Sequence, residues 1–460
     1  MRVSWSTVLR TLPHSESTPP IYYLAALAWT KLFGLTEFGL RSLSALAGTL
    51  TVPLAYGAGA AFASRRAGLI AAALVAVNPF LVWYSQEARA YALAALFTAA
   101  ALMFFARACS GERASNRDLA LWALSSALAV ATHYFAIFVI APMGAWMVWR
   151  THPRRAVLIA NGAVVAAILA LVPLLISQES NGRATWIATI SLPLRLAQVG
   201  EQYMIGFDSP LRIAALLASL ALVALAAIAL LRYGDRRARL GAALAGALGA
   251  LGILVPLLFT AAGDDFLISR NTIGSLVPLI VAVACGLAAL RKPWLAAAAS
   301  AALCAIGAFV VVAVARDRTL QRPDYRGLAT AIGIPTHDRL VLVPGGYRSQ
   351  PLKLYLRNSS YLTNRYATVT EIDVVAARSP VHQACWWGAA CNLPRLPVFT
   401  QFPLPGFTLT GQTTSGLFTV ERFQAGTPQT FGPNELQNAV PTLPRFPRVL
   451  VYLQLPPSAP

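Results

Sequence analysis

The first 315 residues alternate between long apolar stretches and short polar connections. A helix needs about 17 to 25 apolar residues to cross the hydrocarbon core of a bilayer. By that measure the sequence predicts ten crossings, two of which come from residues 119–149 and turn at 132–134. The other eight are expected at 41–62, 67–84, 88–108, 156–176, 211–231, 238–262, 272–290 and 293–315. The pattern therefore predicts an all-α polytopic membrane bundle over residues 41–315.

The first 40 residues contain a shorter apolar segment. Residues 19–35 are about as long as a minimal span, but Tyr22, Tyr23 and Trp29 are residue types typical of the membrane interface. We expect residues 1–40 to form an outer loop and a helix that lies in the interface. Residues 1–18 lack a signal-peptide pattern, so we also expect a longer form of the chain to supply a first span upstream.

Residues 316–460 follow a different pattern, because they are polar and rich in Pro and Gly. Residues 324–332 are predicted to be helical. Segment 424–447 and the tail after 456 are Pro-rich and are predicted to be extended loop. Short strands are expected at 340–343, 368–369, 398–399, 417–420 and 449–453. The sequence thus predicts a separate small α/β domain after the bundle.

Arginines divide the connections between spans into two alternating sets. The intervening set carries only Arg89, Arg183, Arg195, Arg212 and Arg270. The basic set contains Arg65, Arg66, Arg107, Arg113, Arg117, Arg150, Arg154, Arg155, Arg232, Arg236, Arg237, Arg239, Arg291 and Lys292. Because short cytoplasmic loops retain Lys and Arg, the basic set is predicted to be cytoplasmic. The arginine-poor connections and the C-terminal domain are then outside the plasma membrane.

Composition agrees with a membrane protein. The chain is 57% hydrophobic and 12% charged, which is far more apolar than ordinary soluble domains. A net charge of +19 would also suit nucleic-acid binding. Much of that charge lies beside spans, however, where anionic membrane lipid explains it. We therefore expect lipid, and no nucleic acid, as a partner.

The five cysteines fall into two groups. Cys109, Cys285 and Cys304 lie in or beside predicted spans and are interpreted as small apolar residues. Cys385 and Cys391 bracket a Trp-Trp pair in the domain predicted to be outside, where an oxidising environment favours a disulfide. A metal site at this pair would need more ligands than the nearby sequence contains.

Three arginine-poor segments, 14–23, 78–91 and 263–271, combine charges with aromatic residues. Charges at the edge of an apolar bundle are costly unless they are paired or solvated, so they are functional candidates. Glu87 and Arg89 are two residues apart and would point to different sides of a helix. Arg89 would then be available to an anion, and Glu87 to a proton, a hydroxyl or a metal. The alternative is a charge cluster that only anchors helix ends.

Three runs of sequence carry a family resemblance: STPPIYY at 17–23, LRSLSALAGTL at 40–50 and YSQEARAY at 84–91. They resemble glycosyltransferase family 39, in particular the bacterial relatives of protein O-mannosyltransferases and aminoarabinose transferases. The likeness covers roughly residues 15–315 and is strong over 15–110. The segment DDFLISRN at 264–271 is similar to that group as well.

The resemblance implies a C-type glycosyltransferase fold. In that fold a helical bundle holds a polyprenyl-phosphate sugar, here a mannose-like hexose, and the sugar moves to a protein or glycolipid acceptor on the outer face. The base in such enzymes is an acidic residue just before the stretch that matches 17–23. This chain starts too late to contain it, and Glu16 is the only nearby carboxylate.

The chemistry needs a carboxylate to take the acceptor proton and cations or a metal to stabilise the departing phosphate. Glu16 and Glu87 are the predicted catalytic carboxylates. Glu87 and His133 are the predicted ligands of an optional divalent metal, and the pair Asp264-Asp265 either binds a cation or caps a loop. The predicted substrate-binding residues are Tyr22, Gln86, Arg89, Tyr91, Arg270 and Asn271, with Arg89 and Arg270 on the phosphate.

Two other functions remain open at this point. A transporter of lipid-linked sugars would need charged residues deep within the spans, and the spans are almost free of them. A catalytically inactive or truncated membrane protein that binds cell-envelope glycans would need no base.

Overall fold

The computed structural model describes residues 4–110, 114–151, 154–182, 184–317, 320–344, 346–363, 365–377, 405–416, 418–439 and 449–457. The chain divides into two compact units, Met1–Val312 and Ala313–Pro460. The first is helical and the second contains a mixed sheet. The predicted fold class, a helical membrane bundle followed by a small α/β domain, is confirmed.

The helices that begin in the first unit are α1 (Trp5–Ser15), α2 (Ile21–Phe33), α3 (Glu37–Phe62), α4 (Arg65–Val77), α5 (Pro79–Ser85), α6 (Tyr91–Ser110), α7 (Asn116–Thr132), α8 (Ile137–Thr151), α9 (Arg155–Glu179), α10 (Leu192–Ile205), α11 (Arg212–Tyr233), α12 (Arg236–Ala261), α13 (Leu276–Ala288) and α14 (Pro293–Arg316). Short 3-10 helices lie at Tyr134–Ala136, Thr185–Thr189 and Ile273–Ser275.

Each predicted crossing coincides with a helix or with a bent pair of helices. Within the described residues, six helices (α3, α6, α9, α11, α12 and α14) are long and apolar enough to cross a membrane on their own. The pair α4 and α5, bent by 58°, qualifies as a seventh. α7, α8 and α13 have 17, 15 and 13 residues, which is short for a span. The chain is thus a multi-pass membrane protein, and ten crossings stays a prediction.

The predicted span 67–84 is broken at Asn78 and Pro79. A proline inside a helix removes a backbone hydrogen bond, whereas at the first position of a new helix it is favourable. The Asn78 side chain completes the new start, because its Oδ1 accepts from the backbone N–H of Leu81 at 3.0 Å. The break turns α5 away from α4, and α5 leads directly into the segment 86–90.

Residues predicted as outer loop at the start of the chain instead form α1. Ser4 caps this helix through the backbone N–H of Thr7. Leu12 is buried, and Gln178 of α9 donates through Nε2 to the carbonyls of Leu12 at 3.2 Å and Thr18 at 3.1 Å. These bonds attach the first loop to the bundle. α2, with 13 residues, is too short for an upright span.

Small residues let helices of the bundle approach closely. A Cβ atom added at Gly286 in α13 would lie 2.4 Å from the carbonyl oxygen of Ala226 in α11. A Cβ at Gly59 in α3 would lie 3.0 Å from the carbonyl oxygen of Ala67 in α4. By contrast, only 11% of the apolar window of α9 is buried within the protein, so most of that helix is available to lipid.

The second unit holds a six-stranded sheet in the order β2-β6-β1-β3-β5-β4. β1 and β3 are parallel, and the other neighbours are antiparallel. The strands are β1 (Arg339–Pro344), β2 (Ser359–Tyr361), β3 (Ala367–Ala377), β4 (Phe407–Ser415), β5 (Phe418–Phe431) and β6 (Val449–Gln454), with helices α15 (Tyr325–Ile332) and α16 (Pro433–Ala439). The loop predicted for 424–447 is therefore wrong over 424–431 and 433–439, and the strand predicted at 398–399 lies outside the described residues.

A buried ion-pair network stabilises this sheet. Arg339, which is 1% exposed, lies 3.1 Å from the carboxylates of both Glu371 and Asp373. Arg422 bonds Asp373 at 2.9 Å. The two arginines also donate to the carbonyls of Ile332 and Gly333 at the C-terminus of α15, which have no partner within the helix. The network explains these buried charges without a catalytic role.

Candidate functional site

Residues 86–90 form a tight turn between α5 and α6. The backbone N–H of Glu87 donates to the Tyr84 carbonyl at 3.2 Å, and that of Arg89 donates to the Glu87 carbonyl at 2.8 Å. The expectation that Glu87 and Arg89 lie on a helix is therefore wrong. The Arg89 side chain is exposed, and its guanidinium carbon lies 5.8 Å from the centroid of the Tyr91 ring, a cation–π distance.

Arg270 lies on the loop that joins α12 to the 3-10 helix at Ile273–Ser275, and α10 anchors this loop. Ser269 Oγ donates to the Gln202 side chain, and the Tyr203 hydroxyl donates to the Thr272 carbonyl. Leu267, three residues before Arg270, is fully buried. The backbone that carries Arg270 is thus fixed on both sides of the residue.

Arg195 on α10 is the main anchor of this loop. It is 2% exposed and binds Asp265 through two nitrogens, Nη1 at 2.5 Å and Nη2 at 2.6 Å. Its hydrogen bonds hold the pKa of Asp265 below the usual range. Nη1 also donates to the Leu267 carbonyl at 2.9 Å. Asp265 is therefore occupied as a loop partner, whereas Asp264 is exposed.

His133 lies at the turn between α7 and the following 3-10 helix and is 5% exposed. Its ring centroid is 5.8 Å from that of Tyr91. Burial, followed by the charges of Arg270 and Arg89, lowers the pKa of His133 to about 4. The imidazole is therefore neutral at neutral pH. Two guanidiniums far apart in sequence act on this one ring, so Arg89 and Arg270 lie at the same end of the bundle.

The first loop approaches the same region. The Tyr23 hydroxyl donates to Glu16 Oε2 at 2.6 Å, and the Tyr22 and Tyr23 rings are in edge contact with centroids 5.4 Å apart. Arg89 lies within electrostatic range of Glu16, Tyr23 and Glu87. Tyr22 lies within range of Arg89, Glu87 and Glu16. We call this group the Arg89 cluster; its members are Glu16, Tyr22, Tyr23, Glu87, Arg89, Tyr91, His133 and Arg270.

Other predicted site residues are placed differently. Gln86 is exposed at the start of the turn. Asn271 donates through Nδ2 to the Phe266 carbonyl at 2.9 Å and so stabilises its own loop. Tyr22 and Tyr91, at 3% and 4% exposure, are mostly covered by other side chains. The predicted Cys385–Cys391 disulfide lies outside the described residues.

The described residues do not form a zinc-type site. Over the part of the chain that the structure describes, no three His, Cys, Asp or Glu side chains come together, whereas zinc sites use three or more such ligands. His133 also lies near two guanidiniums, which would repel an additional cation. The predicted metal ligands Glu87 and His133 therefore gain no support, and no chemical step is assigned to a metal.

The apolar pattern does not predict α10, because residues 192–205 are too polar to form a span and are interpreted as part of a connection. Arg195, Gln202 and Tyr203 repeat at seven and eight residues, which places them on one helix face. This spacing of polar residues in an otherwise apolar region is the sequence feature that indicates α10. The residue after the helix-ending Gly206 was also missed: Phe207 stacks on Phe80 of α5 with ring centroids 5.4 Å apart.

Residues 17–177 match the family model described as dolichyl-phosphate-mannose-protein mannosyltransferase. This stretch contains Tyr22, Glu87, Arg89, Tyr91 and His133. The resemblance predicted from the sequence is confirmed: the chain is similar to the family 39 membrane glycosyltransferases of the C-type class.

The chain also aligns with solved structures of membrane glycosyltransferases. ArnT from Cupriavidus metallidurans bound to undecaprenyl phosphate is 11% identical, with 88% of each chain covered and a TM-score of 0.47. Arabinofuranosyltransferase AftD from Mycobacteria is 16% identical, with 88% of this chain and 36% of that chain covered and a TM-score of 0.41. Archaeoglobus fulgidus oligosaccharyltransferase with Zn and sulfate is 18% identical, with 67% and 44% covered and a TM-score of 0.29. At these values no residue role carries over to this chain. No protein of curated function matches it.

Proposed function

We propose that this protein is a membrane glycosyltransferase that moves a sugar from a polyprenyl-phosphate carrier to an acceptor hydroxyl. One observation carries the proposal. Four of the arginines in the arginine-poor connections are described, and two of them, Arg195 and Arg212, bind carboxylates. Arg89 and Arg270 make neither a hydrogen bond nor an ion pair with any described side chain; each instead lies over an aromatic ring.

Two guanidiniums that form no ion pair with a described carboxylate, beside one neutral imidazole, form a site suited to an anion. Guanidinium groups bind phosphate oxygens through parallel N–H bonds of fixed geometry. His133 is neutral, so it does not compete with a phosphate for the two guanidiniums and adds no charge of its own. The Arg89 cluster also lies at an end of the bundle, where a phosphate at the membrane interface would be found.

The charge of the donor changes during transfer, and the site can exploit that change. A polyprenyl-phosphate sugar is a phosphodiester with one negative charge, whereas the departing polyprenyl phosphate carries up to two. Arg89 and Arg270 would therefore bind the leaving group more strongly than the donor. Stabilisation that grows towards the transition state is what accelerates a reaction.

Glu87 is the carboxylate that we assign to proton transfer. The acceptor oxygen forms a bond to the anomeric carbon while the bond from that carbon to the phosphate oxygen breaks. The hydroxyl proton passes to Glu87, and the electron pair leaves with the lipid phosphate, which Arg89 and Arg270 neutralise. Glu16 already accepts a hydrogen bond from Tyr23, so we assign it to orienting the first loop, with proton transfer as its alternative role.

The finer features of the proposal rest on the family description and on the arginine pattern. The matched family is described by mannose on a dolichyl-phosphate carrier, which favours a mannose-like hexose and a protein or glycolipid acceptor. The alternation of basic connections favours transfer on the outer face of the plasma membrane. It also favours an extracytoplasmic position for the C-terminal domain.

The proposal is tested with the full-length protein in nanodiscs. Arg89→Ala and Arg270→Ala should each weaken binding of undecaprenyl phosphate about tenfold or more, which is about 1.4 kcal/mol. Lys at either position should recover only part of the affinity, because it loses the paired N–H geometry. Arg237→Gln, which changes a cation in a basic connection, is the control and should bind normally. Unchanged binding in both Ala variants would exclude the phosphate site.

Transfer is measured separately, with labelled polyprenyl-phosphate mannose and membranes that contain acceptors. The enzyme hypothesis is supported if the unaltered chain transfers the sugar and Glu87→Gln abolishes transfer but not donor binding. Donor binding without transfer by the unaltered chain would favour a glycan-binding protein. Movement of intact donor across a sealed vesicle would favour a transporter.

Membrane orientation needs its own experiment. In a cysteine-free background on intact cells, a cysteine at Gly411 should react with an impermeant maleimide, because a side chain there meets open space. A cysteine at Arg236, an exposed residue in a basic connection, should react only after permeabilisation. The reverse labelling pattern would invert the proposed orientation.

A further inference from the structure

Among the described residues, the Arg270 guanidinium contacts an aromatic ring. Its central carbon lies 5.1 Å from the centroid of the Trp186 ring. Trp186 belongs to the 3-10 helix Thr185–Thr189, in the connection between α9 and α10. Both residues are half-buried. The sequence drew no attention to Trp186, which lies outside the region that matches the family model.

A cation over an indole ring is held differently from one in an ion pair. The Arg270 guanidinium carbon lies over the Trp186 ring, and attraction to the ring quadrupole needs no carboxylate or carbonyl acceptor. An ion pair would instead occupy the N–H donors, as Asp265 occupies two nitrogens of Arg195. Trp186 therefore restrains Arg270 and leaves its N–H groups available to an oxyanion.

The contact is built by buried structure on both sides. Arg195 donates through Nε to the Ile190 carbonyl at 2.9 Å, and Ile190 directly follows the 3-10 helix that carries Trp186. The same guanidinium binds the Leu267 carbonyl and Asp265 on the loop that carries Arg270. One side chain at 2% exposure thus joins the two loops. These bonds of Arg195 therefore fix the position of Trp186 relative to Arg270.

We propose that Trp186 is a positioning residue that orients Arg270 towards the lipid phosphate, an inference that rests on the proposed donor site. The attraction comes from the quadrupole of the ring, which is strongest for Trp, weaker for Phe and absent for an aliphatic residue. Affinity for the phosphate should follow that order. Volume and apolar character alone would place Leu close to Phe.

The experiment measures the dissociation constant for undecaprenyl phosphate in nanodiscs together with the thermal midpoint. Trp186→Phe should weaken binding about twofold and Trp186→Leu about fivefold to tenfold, within the range of cation–π contributions. Binding of undecaprenol, which lacks the phosphate, should not change. Trp149→Leu is the control for loss of a tryptophan, because Trp149 is 72% exposed near the Arg150 connection.

The double variant separates positioning from a structural role. Trp186→Leu should weaken phosphate binding in the parent but have no further effect in Arg270→Ala, because its action passes through that guanidinium. Equal losses in both backgrounds, equal affinity of the Phe and Leu variants, or equal loss of undecaprenol binding would each overturn the inference. If Arg270→Ala itself leaves the affinity unchanged, the proposed role of Arg270 in the donor site fails, and with it that of Trp186; if it weakens binding while Trp186→Leu does not, only the role of Trp186 fails.

Discussion

Arginine has opposite roles at the two ends of the bundle. In the basic connections, Arg237 donates to the Ala61 carbonyl at 2.8 Å, Arg239 to the Leu231 carbonyl at 2.8 Å and Arg66 to the Leu290 carbonyl at 3.4 Å. Such carbonyls at and beyond helix ends lack partners within the helix. At the other end, the guanidiniums of Arg89 and Arg270 donate to no described atom and lie over aromatic rings. The first set completes the fold, and the second leaves charge available.

The comparison shows that scarcity of arginine does not by itself identify a site. Arg195 and Arg212 lie in arginine-poor connections too, but each is bound to a carboxylate. What distinguishes Arg89 and Arg270 is the identity of their neighbours, which the fold brings together from distant parts of the chain. Variants in each group should therefore separate arginines that support structure from arginines that serve binding.

Replacing Arg195 by Met should have the largest effect on stability. The change leaves the Asp265 carboxylate and the carbonyls of Ile190 and Leu267 without their partner. A buried carbonyl left without a donor costs about 1–3 kcal/mol, whereas the Asp265 side chain is 19% exposed and keeps access to water. The measurement is the unfolding midpoint in nanodiscs or detergent. Arg41→Met is the control, because both members of the Arg41–Glu37 pair are partly exposed, at 46% and 27%, and the loss of such a pair should cost at most about 1 kcal/mol; equal losses would contradict the role of Arg195 in joining the two loops.

The neutral state of His133 predicts a pH dependence of stability. The unfolded chain takes up a proton on this residue below about pH 6.5, whereas the folded protein does so only near pH 4. The unfolding free energy should therefore fall as pH drops from 6.5 towards 4, by at most about 1.4 kcal/mol per pH unit from this group. Above pH 6.5 the contribution of His133 is constant. His133→Gln should flatten the profile, and an identical slope in this variant would contradict the buried neutral imidazole.

Local patterns predicted the parts of the fold that depend on local physics. Apolar length located the helices of the bundle, because crossing hydrocarbon requires about 17 to 25 apolar residues whatever their partners. It failed at α10, whose buried Arg195, Gln202 and Glu201 are polar residues that face protein. Apolar length also failed to predict the break at Asn78, where the Asn78 cap and the following proline start a new helix within an apolar run.

The C-terminal domain shows the same limit in strands. β4 is exposed along most of its length and rich in Thr, so it lacks the apolar alternation that marks a strand. Residues 424–431 contain Gly and Pro, and β5 nevertheless continues through them because it pairs with β3. Strand propensity is weak against such pairing. For the site, residue types predicted Arg89 and Arg270, whereas Trp186 and Arg195 depend on contacts between loops.

Replacing an arginine of the Arg89 cluster should affect binding and spare the fold. Arg270→Gln removes a cation that forms no ion pair with any residue in the described ranges and lies in electrostatic range of His133, as Arg89 does. We expect stability to fall by about 0.5–1 kcal/mol, because the variant loses only the cation–π contact with Trp186. Undecaprenyl phosphate affinity should nevertheless fall about tenfold. A loss of stability as large as that of Arg195→Met would place Arg270 among the structural arginines.

The smallest effect is expected in the basic connections. Arg237→Gln loses a bond to the Ala61 carbonyl, but that carbonyl also accepts from Ser110 Oγ at 2.8 Å, so it keeps a partner. The cost should be about 0.5–1 kcal/mol, the net value of one ordinary hydrogen bond. Donor affinity should stay unchanged, because Arg237 caps the end of α3 that faces away from the Arg89 cluster. Ser110→Ala in the same background should add to the loss of stability, since the carbonyl then has neither donor. If Arg237→Gln instead weakens phosphate binding, arginines of both ends contribute to the donor site and the division between them does not hold.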